Sequence, residues 1–354
     1  MEAKKPKVLV GMSGGVDSSL SAALLLEQGF EVIGGFMKNW SGSTKICEGT
    51  EEFKECDWRD ERRDAMRVAA QLGIPLITFD FEKEYRANVV DYMIAEYESG
   101  RTPNPDVMCN KFMKFDLFVK EADKLGCEFV ATGHYARQED GKLLAGLDPN
   151  KDQSYFLCQI PRDVLSRVIF PIGNMVKSDV REEAKKRDLV VAEKPDSQGV
   201  CFIGEINMTK FLQERIAKKP GKIVTTEGVV VGDHDGIAFH TIGQREGLKI
   251  GGLSTPYYVV AKNAERNELV VSSNFHEELY KDELEVTDMN WLVDPKEGEF
   301  SARIRYRQPL EMCTLAIKGD KLQVKFKTPQ RAVTPGQFIV FYNGDVVLGG
   351  GVIV

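Results

Sequence analysis

A run of small and acidic residues near the amino terminus has the composition of a phosphate-binding loop. Ser13-Gly14-Gly15-Val16-Asp17-Ser18-Ser19 lies between an apolar run and a helical pattern. Glycines let a backbone approach an anion, and the N–H groups and dipole of a following helix favour negative charge. No lysine follows the glycines, and the spacing is not Gly-x-Gly-x-x-Gly, so the run is neither a Walker loop nor a dinucleotide fingerprint. We predict a pyrophosphate site, with a plain capped strand–turn–helix corner as the alternative.

Cys109 is the first of two cysteines whose surroundings favour chemistry. It ends the stretch 100–110, whose two prolines predict a stiff extended loop, with a helix beginning at Asn110. A thiol at a helix start tends toward a lowered pKa and a reactive thiolate. A buried cysteine beside an aspartate cap at Asp106 is an equally weighted alternative.

Cys201 is the second, and it lies within the glycine-flanked stretch 196–204. Such a loop presents a residue rather than burying it. Two loop thiols in a reducing compartment indicate transient redox chemistry, in which one carries a persulfide and the other resolves it. Of the other five cysteines, three are expected in the core and two have no assigned role: Cys127, Cys158 and Cys313, and then Cys47 and Cys56.

Further candidate site residues lie at the ends of predicted strands or in a polar turn. Gly133 and His134 follow the predicted strand 129–132, on the sheet edge expected to carry the phosphate loop, and Met37 closes another strand. A hydrogen-bonded structural histidine and an ordinary strand end are the alternatives. The segment 151–155 is a polar turn whose side chains could simply face solvent.

Charge is unevenly distributed along the 354 residues. The chain has a net charge of −7 and a pI near 5.4, which argues against indiscriminate nucleic-acid binding. Residues 301–354 nevertheless carry eight Lys or Arg against three Asp or Glu, a net +5, so the rest carries −12. Arg303, Arg305 and Arg307 alternate along a predicted strand and so lie on one face of it. This row of arginines could be an ordinary solvated strand edge, or it could follow a phosphate backbone. A basic module joined to an acidic one fits a partner whose phosphates touch one region.

The pattern of elements predicts an α/β protein with more than one domain. The amino-terminal part alternates strands and helices as a doubly wound parallel sheet does, and the later parts consist of short strands with glycine-rich turns. We expect a catalytic domain at 1–206, a central β-rich domain at 207–278 and a carboxy-terminal β-barrel at 279–354. No apolar run reaches membrane-span length and the start lacks a signal-peptide core, so the cytoplasm is the expected location.

Several motifs together resemble one enzyme family. SGGVDS resembles the signature of the PP-loop ATP pyrophosphatases, which transfer AMP to a carbonyl oxygen and displace it with nitrogen or sulfur. Taken with FMKNW, TPNPDVMCNKFMKF, ATGHYAR, DQSYFL, DSQGVCFIG and HTIGQREGL, it resembles the tRNA-specific 2-thiouridylase family from the phosphate loop to the carboxyl terminus. The resemblance implies an adenine nucleotide alpha hydrolase-like PP-loop domain and 2-thiolation of the wobble uridine, position 34, of tRNA.

The resemblance also implies a role for each matching residue. ATP would adenylate the uridine C2 oxygen, Cys201 would carry a persulfide, and Cys109 would resolve it through a transient Cys109–Cys201 disulfide. Asp106 would act as acid and base near the flipped base. ATP, with Mg²⁺ at its phosphates, would be bound by Gly11, Met12, Ser13, Gly14, Gly15, Val16, Asp17, Ser18, Met37 and Gly133. Contacts with tRNA are implied for Asn104, Pro105, Asp106, His134, Lys151, Asp152, Gln153, Arg305, Tyr306 and Gln337.

The expected partners are tRNA and a sulfur donor protein, either a cysteine desulfurase or a relay protein, with no membrane and with the chain a monomer. Three alternatives stay open. A PP-loop amide or argininosuccinate-type synthetase would use nitrogen and need no cysteine pair. A tRNA-binding module could have kept an inactive nucleotide fold. An iron–sulfur cluster on Cys109, Cys201 and Asp106 could replace the persulfide.

Overall fold

The computed structural model describes residues 5–41, 43–46, 53–55, 58–196, 208–248, 250, 255–273, 278–294 and 297–354. Cys201, Cys47 and Cys56 lie outside these residues. The elements up to residue 196 are, in chain order, β1 (Lys7–Gly11), α1 (Val16–Glu27), β2 (Glu31–Lys38), β3 (Ser43–Ile46), β4 (Phe53–Glu55), α2 (Trp58–Leu72), β5 (Leu76–Asp80), α3 (Glu82–Tyr85), α4 (Asp91–Glu98), α5 (Pro105–Cys109), α6 (Phe118–Lys124), β6 (Phe129–Thr132), β7 (Ala136–Glu139), β8 (Lys142–Ala145), β9 (Val168–Ile169) and α7 (Lys177–Lys186).

A parallel sheet with strand order β5-β2-β1-β6-β9 forms the amino-terminal part, which confirms the doubly wound prediction. Its central strands β1, β2 and β6 are mostly apolar and buried because helices cover both faces, whereas the edge strand β5 is partly exposed. Leu9 and Val130 face one core cluster, and Val8 and Val10 face another. The strand order reverses between β1 and β6, and open α/β sheets bind ligands at the carboxyl ends of the strands there.

The helix that carries Cys109 begins earlier than the sequence predicts. It starts at Pro105 instead of Asn110, because Asn104 accepts a hydrogen bond from the Val107 N–H and caps it. Proline suits the first helical position, where its missing N–H has no helical partner. The helix then continues through a π-helical segment, Asn110–Leu117, into α6. Cys109 therefore lies in the second turn of a helix, and the prediction of a thiol at a helix start is wrong.

A second sheet and a barrel follow. Their elements are α8 (Met208–Gln213), β10 (Gly221–Thr225), β11 (Val230–His234), β12 (Tyr258–Asn263), β13 (Glu268–Ser272), β14 (Tyr280–Trp291), β15 (Gly298–Arg303), β16 (Glu311–Lys318), β17 (Lys321–Arg331), β18 (Phe338–Asn343) and β19 (Val346–Ile353). The middle sheet has the order β11-β10-β13-β12. The last six strands run β14-β17-β16-β15-β18-β19, and pairing of β14 with β19 closes them into the predicted barrel.

One hairpin of the amino-terminal part extends the barrel sheet and was not predicted. Strands β7 and β8 pair with each other, and Leu144 of β8 pairs with Val346 of β19. The turn between them is Asp140-Gly141, with both residues at positive φ. Asp-Gly between short strands is a strong hairpin signal, so the sequence did contain the information.

The three alternating arginines do not share a strand face, which corrects the predicted stripe. Strand β15 ends at Arg303, and the chain bends and turns from there to Arg307, which has φ +62°. Arg303 is buried, Arg305 is half-buried and donates to the Ala332 carbonyl, and Arg307 is exposed. Beyond the strand, the Ile304 N–H donates to Gln308 Oε1 at 3.0 Å, and Ile304 is 1% exposed in the core.

Buried polar contacts join the barrel to the amino-terminal domain. Arg303 Nη1 lies 3.3 Å from the buried Asp152 Oδ2, and the Arg303 guanidinium lies over the Tyr342 ring. The Tyr155 hydroxyl donates to the Phe338 carbonyl at 2.9 Å. Among the residues described, no helix combines the length and apolar character needed to cross a membrane.

Breaking the Arg303–Asp152 pair should destabilise the protein strongly. Arg303→Met or Asp152→Asn alone leaves a buried charge without its partner, which costs about 3 kcal/mol or more, and the double variant should lose less than the sum. Urea unfolding of the four proteins measures this coupling.

Arg162→Met is the matched control, because Arg162 pairs with Asp294 at an exposed position. Exposed pairs contribute about 0 to 1 kcal/mol. Equal losses for Arg303→Met and Arg162→Met would contradict a special role for the buried pair.

Candidate active site at the carboxyl edge of the parallel sheet

The loop between β1 and α1 holds a fixed conformation through its own residues. Gly14 has φ +74°, and a Cβ there would overlap the Glu61 carbonyl oxygen, so only glycine fits. The Ser13 N–H donates to Ser18 Oγ at 3.2 Å, and Ser19 Oγ donates to the Gly15 carbonyl at 2.8 Å. Gly15 is the helix N-cap and has no side chain to occupy the first N–H groups of α1. The loop is thus shaped before any anion arrives.

The other two predicted nucleotide positions lie against this loop. Gly11 of β1 pairs with Thr132 of β6, so Gly133 comes next to the start of α1. A Cβ on Gly133 would lie 2.7 Å from Ser18 N, closer than any side chain allows. Met37 Cε lies 3.4 Å from the position of a Cβ on Gly11. The fold therefore brings residues 11–18, 37 and 133 to one edge of the sheet, at its switch point.

Asp17 of the loop is held by two donors from distant parts of the chain. Lys177 Nζ lies 2.7 and 2.9 Å from its two carboxylate oxygens, and the Tyr135 hydroxyl donates to Oδ1 at 2.8 Å. Burial, with the charge of Asp17 next, raises the pKa of Tyr135 far above its usual value, so its hydroxyl stays a donor. Sequence reasoning missed Lys177, because nothing near residue 177 resembles a phosphate motif.

Lys177 also reaches Asp196, the centre of a cluster of charges. Asp196 accepts from Lys151 at 2.7 Å, Lys177 at 2.8 Å and Arg181 at 2.6 Å. Burial alone would raise the pKa of Asp196, but the hydrogen bonds from Lys151 and Lys177 outweigh it and hold the pKa at about 2. Asp196 is therefore ionised at any working pH. Lys177 links Asp196 to the phosphate loop, because its ammonium group contacts both Asp196 and Asp17.

Lys194 gives the loop a further positive contact. Its Nζ donates to the Gly14 carbonyl at 3.0 Å and to Asp64 Oδ2 at 2.7 Å. Since Gly14 belongs to the loop and Asp64 belongs to α2, Lys194 fixes the position of the loop against α2.

Cys109 and Asp106 lie three residues apart on the helix that covers one face of the sheet. Cys109 is 0% exposed and belongs to the same apolar cluster as Met37 and Phe118. Asp106 is half-buried in the first turn. The structure therefore places the Cys109 helix on the Met37 side of the sheet, while the predicted partner Cys201 is outside the described residues.

His134 is buried, with both ring nitrogens engaged. Nδ1 lies 2.7 Å from Thr132 Oγ1, and Nε2 lies 3.3 Å from Lys114 Nζ. A lysine ammonium only donates, so Nε2 is the acceptor and Nδ1 carries the proton. Burial, and then the Lys114 charge, hold the pKa of His134 well below its usual value. The neutral ring accepts a hydrogen bond from Lys114 and so orients its ammonium group. A contact between His134 and tRNA stays a prediction.

In the polar turn at 151–153, the side chains of Asp152 and Gln153 accept hydrogen bonds from backbone N–H groups of the protein. Asp152 Oδ1 accepts from the Gly146 and Ser154 N–H groups at 2.9 and 3.0 Å. Gln153 Oε1 accepts from the Tyr135 N–H at 3.0 Å. These contacts fix the turn beside the site, and direct contacts with tRNA stay a prediction.

The barrel and the middle domain meet Thr102, two residues before Asn104, in a cleft of about 330 Å³. Gln337 Nε2 donates to the carbonyls of Thr102 and Pro103 at 2.9 and 3.0 Å, which fixes the residues that precede Asn104. Tyr306 packs on Phe156 with ring centroids 4.5 Å apart. The cleft lining consists of Thr102, Thr241, Ile242, Gly243, Gln244, Arg305, Thr334 and Gln337.

Comparison with known proteins gives three family matches along the chain. Residues 6–205 match the model described as tRNA methyl transferase HUP domain, residues 209–273 the tRNA methyl transferase PRC-barrel domain, and residues 281–353 the Aminomethyltransferase beta-barrel domain. These matches cover most of the chain and follow the three structural parts.

Curated relatives match over nearly the full length. A protein of Listeria monocytogenes named tRNA-specific 2-thiouridylase MnmA is 49% identical over 98% of this chain and 94% of its own length. A protein of the same name from Geobacillus thermodenitrificans gives the same values. Among solved structures, a 4-thiouridine synthetase–RNA complex with bound ATP has 18% identity and a TM-score of 0.38, covering 59% of this chain and 50% of its own.

Gly133→Ala should impair nucleotide binding, because its methyl group would push β6 away from the first turn of α1. We expect a loss of affinity for ATP of tenfold or more, measured by calorimetry. Gly232→Ala is the control, since the nearest atom to a Cβ there is 3.5 Å away. Unchanged ATP affinity in Gly133→Ala would show that this contact does not shape the site.

Proposed function

Because the chain belongs to the tRNA-specific 2-thiouridylase family, we propose that it catalyses the ATP-dependent 2-thiolation of uridine 34 in tRNA. The observation that carries the proposal is the meeting of the phosphate loop with Gly133 at the switch point, beside the helix that bears Asp106 and Cys109. Family membership identifies the substrate class, and this geometry supports ATP at residues 11–18, 37 and 133.

The first step adenylates the base. The uridine C2 oxygen attacks the α-phosphorus of ATP, the bond to the β-phosphate oxygen breaks, and pyrophosphate leaves. Asp106 takes the N3 proton as the oxygen attacks, which its half-buried place in the first turn of α5 allows. Asn104 and Pro105 shape the pocket of the flipped base. Gln337 fixes the chain that leads into them, because it donates to the carbonyls of Thr102 and Pro103.

The second step delivers sulfur. The terminal sulfur of a Cys201 persulfide attacks C2 and AMP leaves with its oxygen. The Cys109 thiolate then attacks the Cys201 sulfur and breaks its bond to the transferred sulfur, which stays on C2. Asp106 returns the proton to N3, so the base is released as the thiocarbonyl and a Cys109–Cys201 disulfide remains. A dithiol reductant and a sulfur donor protein restore the persulfide. Because Cys109 is fully buried, this step requires its covering side chains to move.

Mg²⁺ fits the site as a companion of ATP. Among the described residues, no group of three or more His, Cys, Asp or Glu is placed to hold a metal. Mg²⁺ needs only one or two carboxylates when it also binds phosphates, and Asp17, which pairs with Lys177 in this structure, would supply one within the loop. When bound, Mg²⁺ neutralises charge on the phosphates. Arg305, Tyr306 and Lys151 are the proposed tRNA contacts that reach the surface of the site.

Cys109→Ser and Cys201→Ser should each abolish 2-thiouridine formation while ATP binding persists, because the thiols act only after the nucleotide is bound. Nucleoside analysis of tRNA incubated with protein, ATP and a sulfur source measures the product. Cys313→Ser is the control, since Cys313 is buried in the barrel core.

Thiolation retained by both site variants would contradict the proposal. An amide or argininosuccinate-type synthetase, the alternative activity, would keep its reaction in both.

Iron and sulfide analysis of anaerobically purified protein distinguishes the persulfide route from a cluster. We expect no iron, because Cys109 is enclosed by apolar side chains. Stoichiometric iron and acid-labile sulfide that are lost in Cys109→Ser would replace the persulfide route by a cluster.

A further inference from the structure

The phosphate loop has no lysine of its own, yet a lysine from another helix reaches it. Lys177 is the first residue of α7, and its ammonium group bridges Asp17 of the loop and Asp196 at 2.7 to 2.9 Å. Its side chain is largely buried, with 13% exposed. We propose that Lys177 is a phosphate-binding residue that transfers its ammonium group from Asp17 to the β- and γ-phosphates when ATP binds. The inference rests on ATP as the nucleotide of the proposed function.

The backbone of Lys177 is fixed while its side chain can move. The Lys177 N–H donates to Asp148 Oδ2 at 3.0 Å, and Asp148 is itself buried. The side chain passes the Tyr135 ring, with Nζ 5.6 Å from the ring centroid. A lysine on a flexible stem of four carbons can therefore shift its ammonium group without moving α7.

The local charges favour the arrival of an anion. Asp17 and Asp196 face Lys151, Lys177 and Arg181, which is one positive charge more than the two carboxylates need. If Lys177 moves to a phosphate, Asp196 keeps Lys151 and Arg181 as partners. Asp17 keeps the Tyr135 hydroxyl and gains an open carboxylate oxygen for the cation that accompanies ATP. The exchange therefore leaves neither of these half-buried carboxylates without a partner.

Comparison of ATP with AMP separates this role from a structural one. AMP lacks the β- and γ-phosphates, so Lys177→Met should weaken ATP binding by tenfold or more and change AMP binding by less than twofold. Lys177→Arg keeps the charge and should restore part of the ATP affinity. Equilibrium binding of the two nucleotides to the full chain is the measurement.

Lys186→Met is the matched control, because Lys186 lies on the same helix and its side chain is 57% exposed, with its ammonium group paired to Glu182 and Glu183. Equal weakening of ATP and AMP in Lys177→Met, or no weakening of either, would overturn the inference. If Lys177→Met does not fold, the same comparison with Lys177→Gln decides. Wild-type protein that binds ATP but forms no 2-thiouridine would contradict the proposed function and leave this inference intact.

Discussion

The contact between Gly133 and the first turn of α1 is the constraint on which the site depends. A Cβ on Gly133 would lie within 2.7 Å of the Ser18 nitrogen, so β6 and the phosphate loop meet backbone to backbone. Parallel pairing of β1 with β6 produces this approach, since both strands end at the same edge. The loop can therefore offer N–H groups to phosphates on one side while the residues after β6 close the other.

Polar contacts also fix the position of the amino-terminal domain relative to the barrel. Gln337 holds the carbonyls of Thr102 and Pro103, and the Asp152–Arg303 pair and the Tyr155 hydroxyl join the domains nearby. Buried hydrogen bonds are costly to leave unmade, so they specify one arrangement of the domains. The helix that begins at Pro105 is thus fixed both at its cap and through the residues that precede it, which places Asp106 and Cys109 relative to the barrel.

Local signals explain which features the sequence predicted. The phosphate loop and the sheet were predictable because glycine spacing and apolar runs act over a few residues. The start of α5 was missed because two prolines resemble a loop, although Pro105 preceded by Asn104 also fits a capped helix start. The Asp17–Lys177 contact joins positions 160 residues apart, and no local pattern encodes it. The shared face of Arg303, Arg305 and Arg307 was wrongly predicted because the strand ends at Arg303, and the Ile304 N–H then bonds to the Gln308 side chain.

In the proposed function, adenylation and persulfide transfer occur at one site, with Cys109 resolving Cys201. Single-turnover reaction of persulfide-loaded protein with ATP and tRNA, without reductant, tests it most directly. Mass spectrometry of the protein and nucleoside analysis of the tRNA should find one Cys109–Cys201 disulfide and one AMP for each 2-thiouridine formed. Formation of 2-thiouridine without that disulfide would contradict the account.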